Sequence, residues 1–231
     1  MILSLTRHIA FGYHSLQQGE WETIRFQGRE LHGKTLGVVG LGPIGTEVAR
    51  LGAGIGMKVM GWTRNARPER GKHGLRLVSL EGLFSGADVV SVHLAYNAQT
   101  ERLISGGLLN RMKPSAYFVN TARAKIVDTQ ALAALFKERK IASAALDVHE
   151  EEPFPEDYVF RSLPNVLITP HIGYNTREAG LNMLRIAYAT LEAFLRGEKL
   201  HVVNPAEPWG VDTLASPLQI ALEGTVKAPP D

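Results

Sequence analysis

Three glycines, Gly40, Gly42 and Gly45, are spaced to bring a backbone turn against a pyrophosphate. They lie in Lys34-Thr-Leu-Gly-Val-Val-Gly-Leu-Gly-Pro-Ile-Gly-Thr-Glu-Val-Ala-Arg50. Gly40 allows a tight turn, Gly42 lets the backbone approach the phosphates, and Gly45 lets a helix pack on a strand. The start of that helix offers free N–H groups and the positive end of its dipole to an anion. Glycine is common in this chain, at 23 of 231 residues, so the spacing alone also fits a plain structural turn. The flanks favour dinucleotide binding. Thr35 to Val39 is a short, mostly apolar, β-branched run, as in a strand buried on both faces. From Ile44 onward Ile44, Val48 and Leu51 recur at helical spacing.

The elements that must carry such a site alternate along the chain. Residues 2 to about 17 read as one helix, ended by Gln17-Gln18-Gly19-Glu20-Trp21. After the glycine-rich turn, Lys58–Trp62, Asp88–His93, Ala116–Asn120, Ile141–Asp147 and Val166–Thr169 read as strands. Asp128 caps a helix carrying Leu132, Leu135 and Phe136, and Thr176 to Leu195 is a long helix stopped near Gly197. Strands alternating with helices give a doubly wound parallel α/β sheet, the Rossmann dinucleotide-binding architecture. Beyond Asn204 the chain is proline-rich and reads as an irregular tail.

Composition narrows the function. With 45% hydrophobic and 21% charged residues the chain has the makings of an ordinary globular core. Its 25 basic and 23 acidic side chains leave a net charge of +2, too balanced to argue for nucleic acid or a membrane surface as partner. Without cysteine there is no disulfide framework, thiol nucleophile or cysteine–zinc site, and no metal centre is expected. No apolar run approaches the ~18 residues of a membrane span, and the opening Met1-Ile-Leu-Ser-Leu-Thr-Arg does not resemble a signal peptide. A cytoplasmic protein is expected.

Three further segments complete a pattern: Asn120-Thr-Ala-Arg-Ala-Lys-Ile-Val-Asp128, Ala145-Leu-Asp-Val-His-Glu-Glu-Glu-Pro153 and Pro164-Asn-Val-Leu-Ile-Thr-Pro-His-Ile-Gly173. With the glycine-rich turn they resemble the D-isomer-specific 2-hydroxyacid dehydrogenases over roughly residues 1 to 205. The resemblance implies NAD(P)-dependent oxidation of a small 2-hydroxy acid or reduction of a 2-oxo acid. It implies that Arg123 binds substrate, and a guanidinium can hold a carboxylate through two parallel hydrogen bonds. It implies His171 as the acid/base, a side chain that titrates near neutrality, and Glu152 as the carboxylate paired with it. Glu150 and Glu151 compete for that place. It implies that Asp147 contacts the nicotinamide carboxamide and that Pro43, Ile44, Thr121 and Gly173 join the three glycines around the cofactor.

The chain departs from that family in two places. Ala124 stands where glycine is common; a positive φ there would make alanine costly, and it is read as tolerated. The family also carries a substrate-domain segment ahead of the first helix, and no residue of this sequence corresponds to it. Residues 1–34 are therefore expected as remnant helix and connector of a truncated substrate-binding domain. Residues 35–170 follow as the dinucleotide domain, 171–204 as the histidine loop and return helix, and 205–231 as the tail. A chain of this kind would bind cofactor yet turn over poorly by itself.

The cofactor is read from the end of the second strand. An NAD site places an acid there for the ribose hydroxyls; here the position is Thr63, followed by Arg64, and then Arg67, Arg70 and Lys72 opposed only by Glu69. That favours NADP over NAD, with a solvated basic loop as the plain alternative. The partners expected are a small 2-oxo or 2-hydroxy acid and a second copy of the chain in a homodimer. A corepressor-like or degenerate homologue that binds the dinucleotide with little turnover is the competing function.

Overall fold

A computed structural model describes residues 1–65 and 74–201. Arg67, Glu69, Arg70 and Lys72 of the basic loop, and the tail 205–231, lie outside the described residues. Residues Met1–Gly173 form one compact unit, and a second begins at Tyr174.

The first unit is built on seven strands: β1 (Thr35–Val39), β2 (Lys58–Trp62), β3 (Arg76–Leu77), β4 (Val89–Val92), β5 (Tyr117–Asn120), β6 (Ser143–Leu146) and β7 (Val166–Ile168). They pair in parallel in the order β3-β2-β1-β4-β5-β6-β7. The chain reverses its direction of travel across the sheet between β1 and β4, the switch point outside which doubly wound sheets place ligands. Register aligns the carboxyl ends. Val39 pairs with Trp62 and Val92, Val92 with Asn120, Asn120 with Leu146, and Leu146 with Ile168. The loops that follow all leave from one edge.

The apolar runs that suggested buried strands are buried on both faces. Phe84, Phe118, Leu132, Phe136 and Phe160 fill one side of the sheet, while Leu5, Leu36, Val38, Tyr117 and Val119 fill the other. Helices α3 (Pro43–Gly54), α4 (Leu80–Gly86), α5 (Gly106–Leu109) and α6 (Thr129–Lys137) connect the strands. Asp128 caps α6 as expected, accepting from the Ala131 N–H at 3.0 Å. The two-residue strand β3 was not legible, being too short for an alternation to register.

Helix α3 corrects the sequence reading of its apolar face. Ile44 is 70% and Leu51 53% exposed, whereas Gly45, Ala49 and Gly52 are buried. The helix lies so close to the sheet that only small residues fit beneath it. A Cβ at Gly45 would stand 1.8 Å from the Gly40 carbonyl oxygen, and one at Gly52 2.4 Å from Leu36 Cδ2.

The expected helix 2–17 is in fact two, α1 (Ile2–Thr6) and α2 (Ile9–Gln17), broken by His8 in the left-handed region at φ 53°. The break has a partner. The Thr6 carbonyl accepts from the Arg29 N–H at 2.8 Å, a bond to the connector in place of the next helical turn. Gly28 makes this approach possible, since a Cβ there would be 2.6 Å from the same oxygen. In the second unit, α7 (Arg177–Leu195) is capped by Thr176, whose hydroxyl accepts from the Ala179 N–H at 3.0 Å. Among the described residues no helix is long and apolar enough to cross a membrane.

Candidate active site

Two of the aligned strand ends form a cradle at the switch point. Gly40, following β1, has φ +99°, and a Cβ on it would stand 2.5 Å from the carbonyl oxygen of His93, the residue following β4. A side chain at Gly40 is thus excluded twice, by conformation and by space. Gly42, by contrast, faces open space. It is the N-cap of α3, no side chain among the described residues caps that helix, and Pro43 stands in its first turn. The amide hydrogens of Ile44 and Gly45 therefore lack the side-chain acceptor that a helix start usually recruits. An uncapped twelve-residue helix with a glycine opening at its tip fits an anionic group such as a pyrophosphate.

His93 supports this cradle from below. Its Nε2 lies 2.8 Å from the hydroxyl of buried Ser91, and burial pushes its pKa down from 6.5 to about 4. At the end of β2, Thr63 and the exposed Arg64 occupy the place where an acid would bond a ribose. Arg64 is held by Gln99 of the segment after β4, through the side-chain oxygen and, at 3.3 Å, through the carbonyl.

The ends of β5, β6 and β7 form the other half of the edge. Asn120, 2% exposed, closes the loop after β5: its Oδ1 accepts from the Ala122 N–H and its Nδ2 donates to the Arg123 carbonyl, both at 3.0 Å. This presents Arg123 outward, with Nη1 donating to the Ala122 carbonyl at 2.6 Å, while Thr121 is half-buried beside it. Ala124 is buried at the start of a 3-10 turn, Ala124–Ile126, and is not among the residues of positive φ, so it carries no backbone strain. Asn120 and the ring of His149 are the positioning groups that sequence reasoning missed. Their signal, a polar residue at the end of an apolar strand, is weak.

After β6 and β7 the geometry is tight. His171 Nδ1 lies 2.7 Å from Glu152 Oε2. The other oxygen of Glu152 accepts from the His149 N–H at 2.9 Å. The bond to His171, then that from the His149 amide, holds the Glu152 carboxyl below the usual carboxylate range. Of the neighbouring acids, Glu150 turns instead to the Thr129 hydroxyl. Asp147 is 2% exposed, and both its oxygens are turned to the His171 loop. They accept from the Thr169 hydroxyl, from the Ile172 N–H at 3.0 Å and from the Gly173 N–H at 2.7 Å. A Cβ at Gly173 would come within 2.8 Å of Asp147 Oδ2, which explains the glycine. His171 has φ 53°, a left-handed conformation uncommon for a residue with a side chain and found where surroundings over-determine it.

A carboxylate-oriented imidazole, an outward guanidinium on the next strand end but one, and an uncapped helix start can together bind an anionic cofactor, hold a carboxylate and move a proton. A cavity of about 1050 Å³ lies elsewhere, between α2 and the amino ends of β6 and β7. It is lined by Phe11, Phe26, Arg139, Ser143 and Val166 and contains none of these groups.

The family model for the NAD-binding domain of D-isomer specific 2-hydroxyacid dehydrogenases matches residues 1–173. The chain is 39% identical over 206 residues to a glyoxylate reductase of Aeropyrum pernix, covering 86% of this chain and 62% of that one. Among solved structures, an acyclic imino acid reductase in complex with NADPH and D-Arg superposes with a TM-score of 0.81 at 28% identity, over 88% of this chain and 64% of that one. The D-lactate dehydrogenase of Lactobacillus jensenii with NAD+ does so at 0.78 and 29%, over 87% and 65%. The chain thus spans less than two thirds of the length of each.

The depressed pKa of His93 has a consequence for acid stability. In the unfolded chain the ring takes up a proton near pH 6.5, whereas in the folded chain it waits until about pH 4. Between these values the unfolded state binds more protons, so stability is fully present above pH 6.5 and falls as pH drops towards 4. The full loss is about 3 kcal/mol. Denaturant unfolding at pH 7 and pH 4.5 should show His93→Asn losing less stability on acidification than the wild type. An imidazole titration near pH 6.5 for His93 in the folded protein would refute the assignment.

Proposed function

The chain belongs to the D-isomer-specific 2-hydroxyacid dehydrogenases, of which it carries the NAD-binding domain, and on that footing we propose that it serves reversible hydride transfer between NAD(P)H and a small 2-oxo or 2-hydroxy acid. The observation that carries this reading is the Glu152–His171 contact of 2.7 Å on the same strand edge as the uncapped, glycine-opened start of α3. When bound, the dinucleotide supplies hydride exchange at C2 of the acid. The chain's own residues do the rest. Arg123 holds the substrate carboxylate, with Asn120 fixing its loop. Glu152 binds His171 Nδ1, so the proton passes through Nε2: to the carbonyl oxygen in reduction, from the hydroxyl in oxidation. The Glu152 carboxylate keeps the ring oriented through that contact. Asp147, which the resemblance casts as a nicotinamide contact, holds the His171 loop in this structure through Thr169, Ile172 and Gly173.

The test is turnover with glyoxylate, hydroxypyruvate and longer 2-oxo acids, using both reduced cofactors. His171→Gln should lower kcat by roughly 10²–10⁴, the worth of positioned proton transfer, with cofactor binding intact. Wild-type turnover in that variant would remove His171 from the reaction.

NADPH is the cofactor we favour. The support is Thr63 in place of an acid and the exposed Arg64, which Gln99 ties near the end of β2. Arg64→Ala should weaken NADPH binding by roughly 1–3 kcal/mol, the range of a charge-assisted hydrogen bond, and leave NADH nearly unchanged. Equal losses for both, or tighter NADH binding by the wild type, would reverse the assignment.

A second copy of the chain is the partner this reading adds. Ile9, Tyr13 and Leu16 are exposed at i, i+4, i+7 spacing on one face of α2, and Trp21 and Ile24 of the connector that follows are 82% and 89% exposed. Aromatic and aliphatic groups grouped this way on a surface mark an interaction site. Sedimentation should give a dimer that Trp21→Glu converts to monomer, and a monodisperse wild-type monomer would count against it.

A further inference from the structure

We propose that His149 is a positioning residue that locks the loop carrying Glu152 to the strand end carrying His171. The inference rests on the reading of Glu152 and His171 as the acid/base pair, and it assigns a task to a residue outside that pair.

His149 is buried, and all three of its polar nitrogens are used. Its main-chain N–H donates to Glu152 Oε1 at 2.9 Å. Its ring Nε2 lies 2.9 Å from the Thr169 carbonyl oxygen, and its Nδ1 lies 2.8 Å from the Tyr158 hydroxyl. A carbonyl oxygen only accepts, so the partners assign the ring hydrogen to Nε2. In the neutral ring Nδ1 then accepts, and Tyr158 donates. Burial, then the nearby charges of Glu150 and Glu152, pushes the Tyr158 pKa up to about 12, which keeps the phenol a donor.

The Thr169 carbonyl has a second donor, the His171 N–H at 3.0 Å. One oxygen at the exit of β7 therefore takes both the ring of His149 and the backbone of His171. The same residue's amide holds the carboxylate that meets the His171 ring. His149 thus fixes both sides of the 2.7 Å contact, one through its backbone and one through its side chain. Asp147 anchors the far side of the loop at Ile172 and Gly173. The left-handed φ of His171 needs such anchoring, because that conformation is disfavoured for a residue with a Cβ. The ring itself is wedged against Phe154 and Tyr158, with centroids 5.0 and 5.2 Å away and planes at 74° and 90°.

Packing and positioning are separable here by substitution. His149→Phe keeps an aromatic ring of the same outline and the main-chain bond to Glu152, but removes the bonds to Thr169 and Tyr158. His149→Gln loses the ring yet retains an N–H that reaches towards Thr169. The readout is the titration midpoint of the Glu152 carboxyl in the full chain, followed by carbon NMR on glutamate-labelled protein and assigned by Glu152→Gln.

In the wild type the midpoint lies below the usual carboxylate range. In His149→Phe it should rise towards the usual carboxylate range, as the His171 loop loosens and its bond to Glu152 weakens. His149→Gln should stay close to the wild type. NADPH affinity should change less than about threefold in either, well under the tenfold that 1.4 kcal/mol represents. Should His149→Phe fail to fold, Tyr158→Phe decides by the same readout. It removes one oxygen and should raise the midpoint in the same direction.

A wild-type midpoint in the decisive variant overturns the proposal. So do equal shifts in His149→Phe and His149→Gln, which would mean packing alone. The functional reading stands or falls separately, on turnover of His171→Gln.

Discussion

Parallel pairing is the constraint on which the rest of this structure depends. When every strand runs the same way and registers with its neighbour, the loops that follow all leave from one edge. Here the pairs Val39–Trp62, Val39–Val92, Val92–Asn120, Asn120–Leu146 and Leu146–Ile168 bring six strand ends level. The glycine turn, Thr63, His93, Arg123, Glu152 and His171 come from stretches of chain more than a hundred residues apart, yet they share that edge. The cost is that both sheet faces must be covered, and the two apolar clusters of the core meet it.

A shared edge is not yet a site, because loops on an edge are free to move. Short polar side chains fix them. Asn120 closes the Arg123 loop on itself. Asp147 takes three donors from the segment Thr169–Gly173. A buried carboxylate is costly unless its charge is met by hydrogen bonds. The requirement works in both directions, since the loop that satisfies Asp147 is by the same bonds held in place. His149 and Glu152 act on the other side of that loop. The left-handed backbone of His171 is sustained by this double anchoring.

Close backbone approach governs the other half of the edge. The contacts of α3 with β1 and of Gly40 with His93 leave no room for a Cβ at Gly45, Gly52 or Gly40. The glycines in this region are therefore of two kinds. Gly40 and Gly45 are required by close backbone contacts within the protein, while Gly42, the N-cap of α3, opens on empty space. The same closeness turns the larger apolar residues of α3, Ile44 and Leu51, outward.

The sequence by itself determined six of the seven strands, the cap at Asp128, the glycine turn and the motifs that carry Arg123 and His171. These are local properties: apolar runs, fixed spacings and the conformational freedom of single residues. It did not determine which face of α3 is buried, because an apolar stripe is a sound guide only when the helix lies at ordinary distance from its sheet. It left the helix at residues 2–17 unbroken, because the break depends on a bond from Thr6 to Arg29, far along the chain. The run Glu150-Glu151-Glu152 did not say by itself which carboxylate meets the histidine. Folding decided that, by sending Glu150 to Thr129 and Glu152 to His171, nineteen residues away. Tertiary structure alone gave Asn120, Asp147 and His149 their tasks. A polar group at a strand end is committed to whichever donor or acceptor the neighbouring loop brings, and that loop is adjacent only once the sheet has formed.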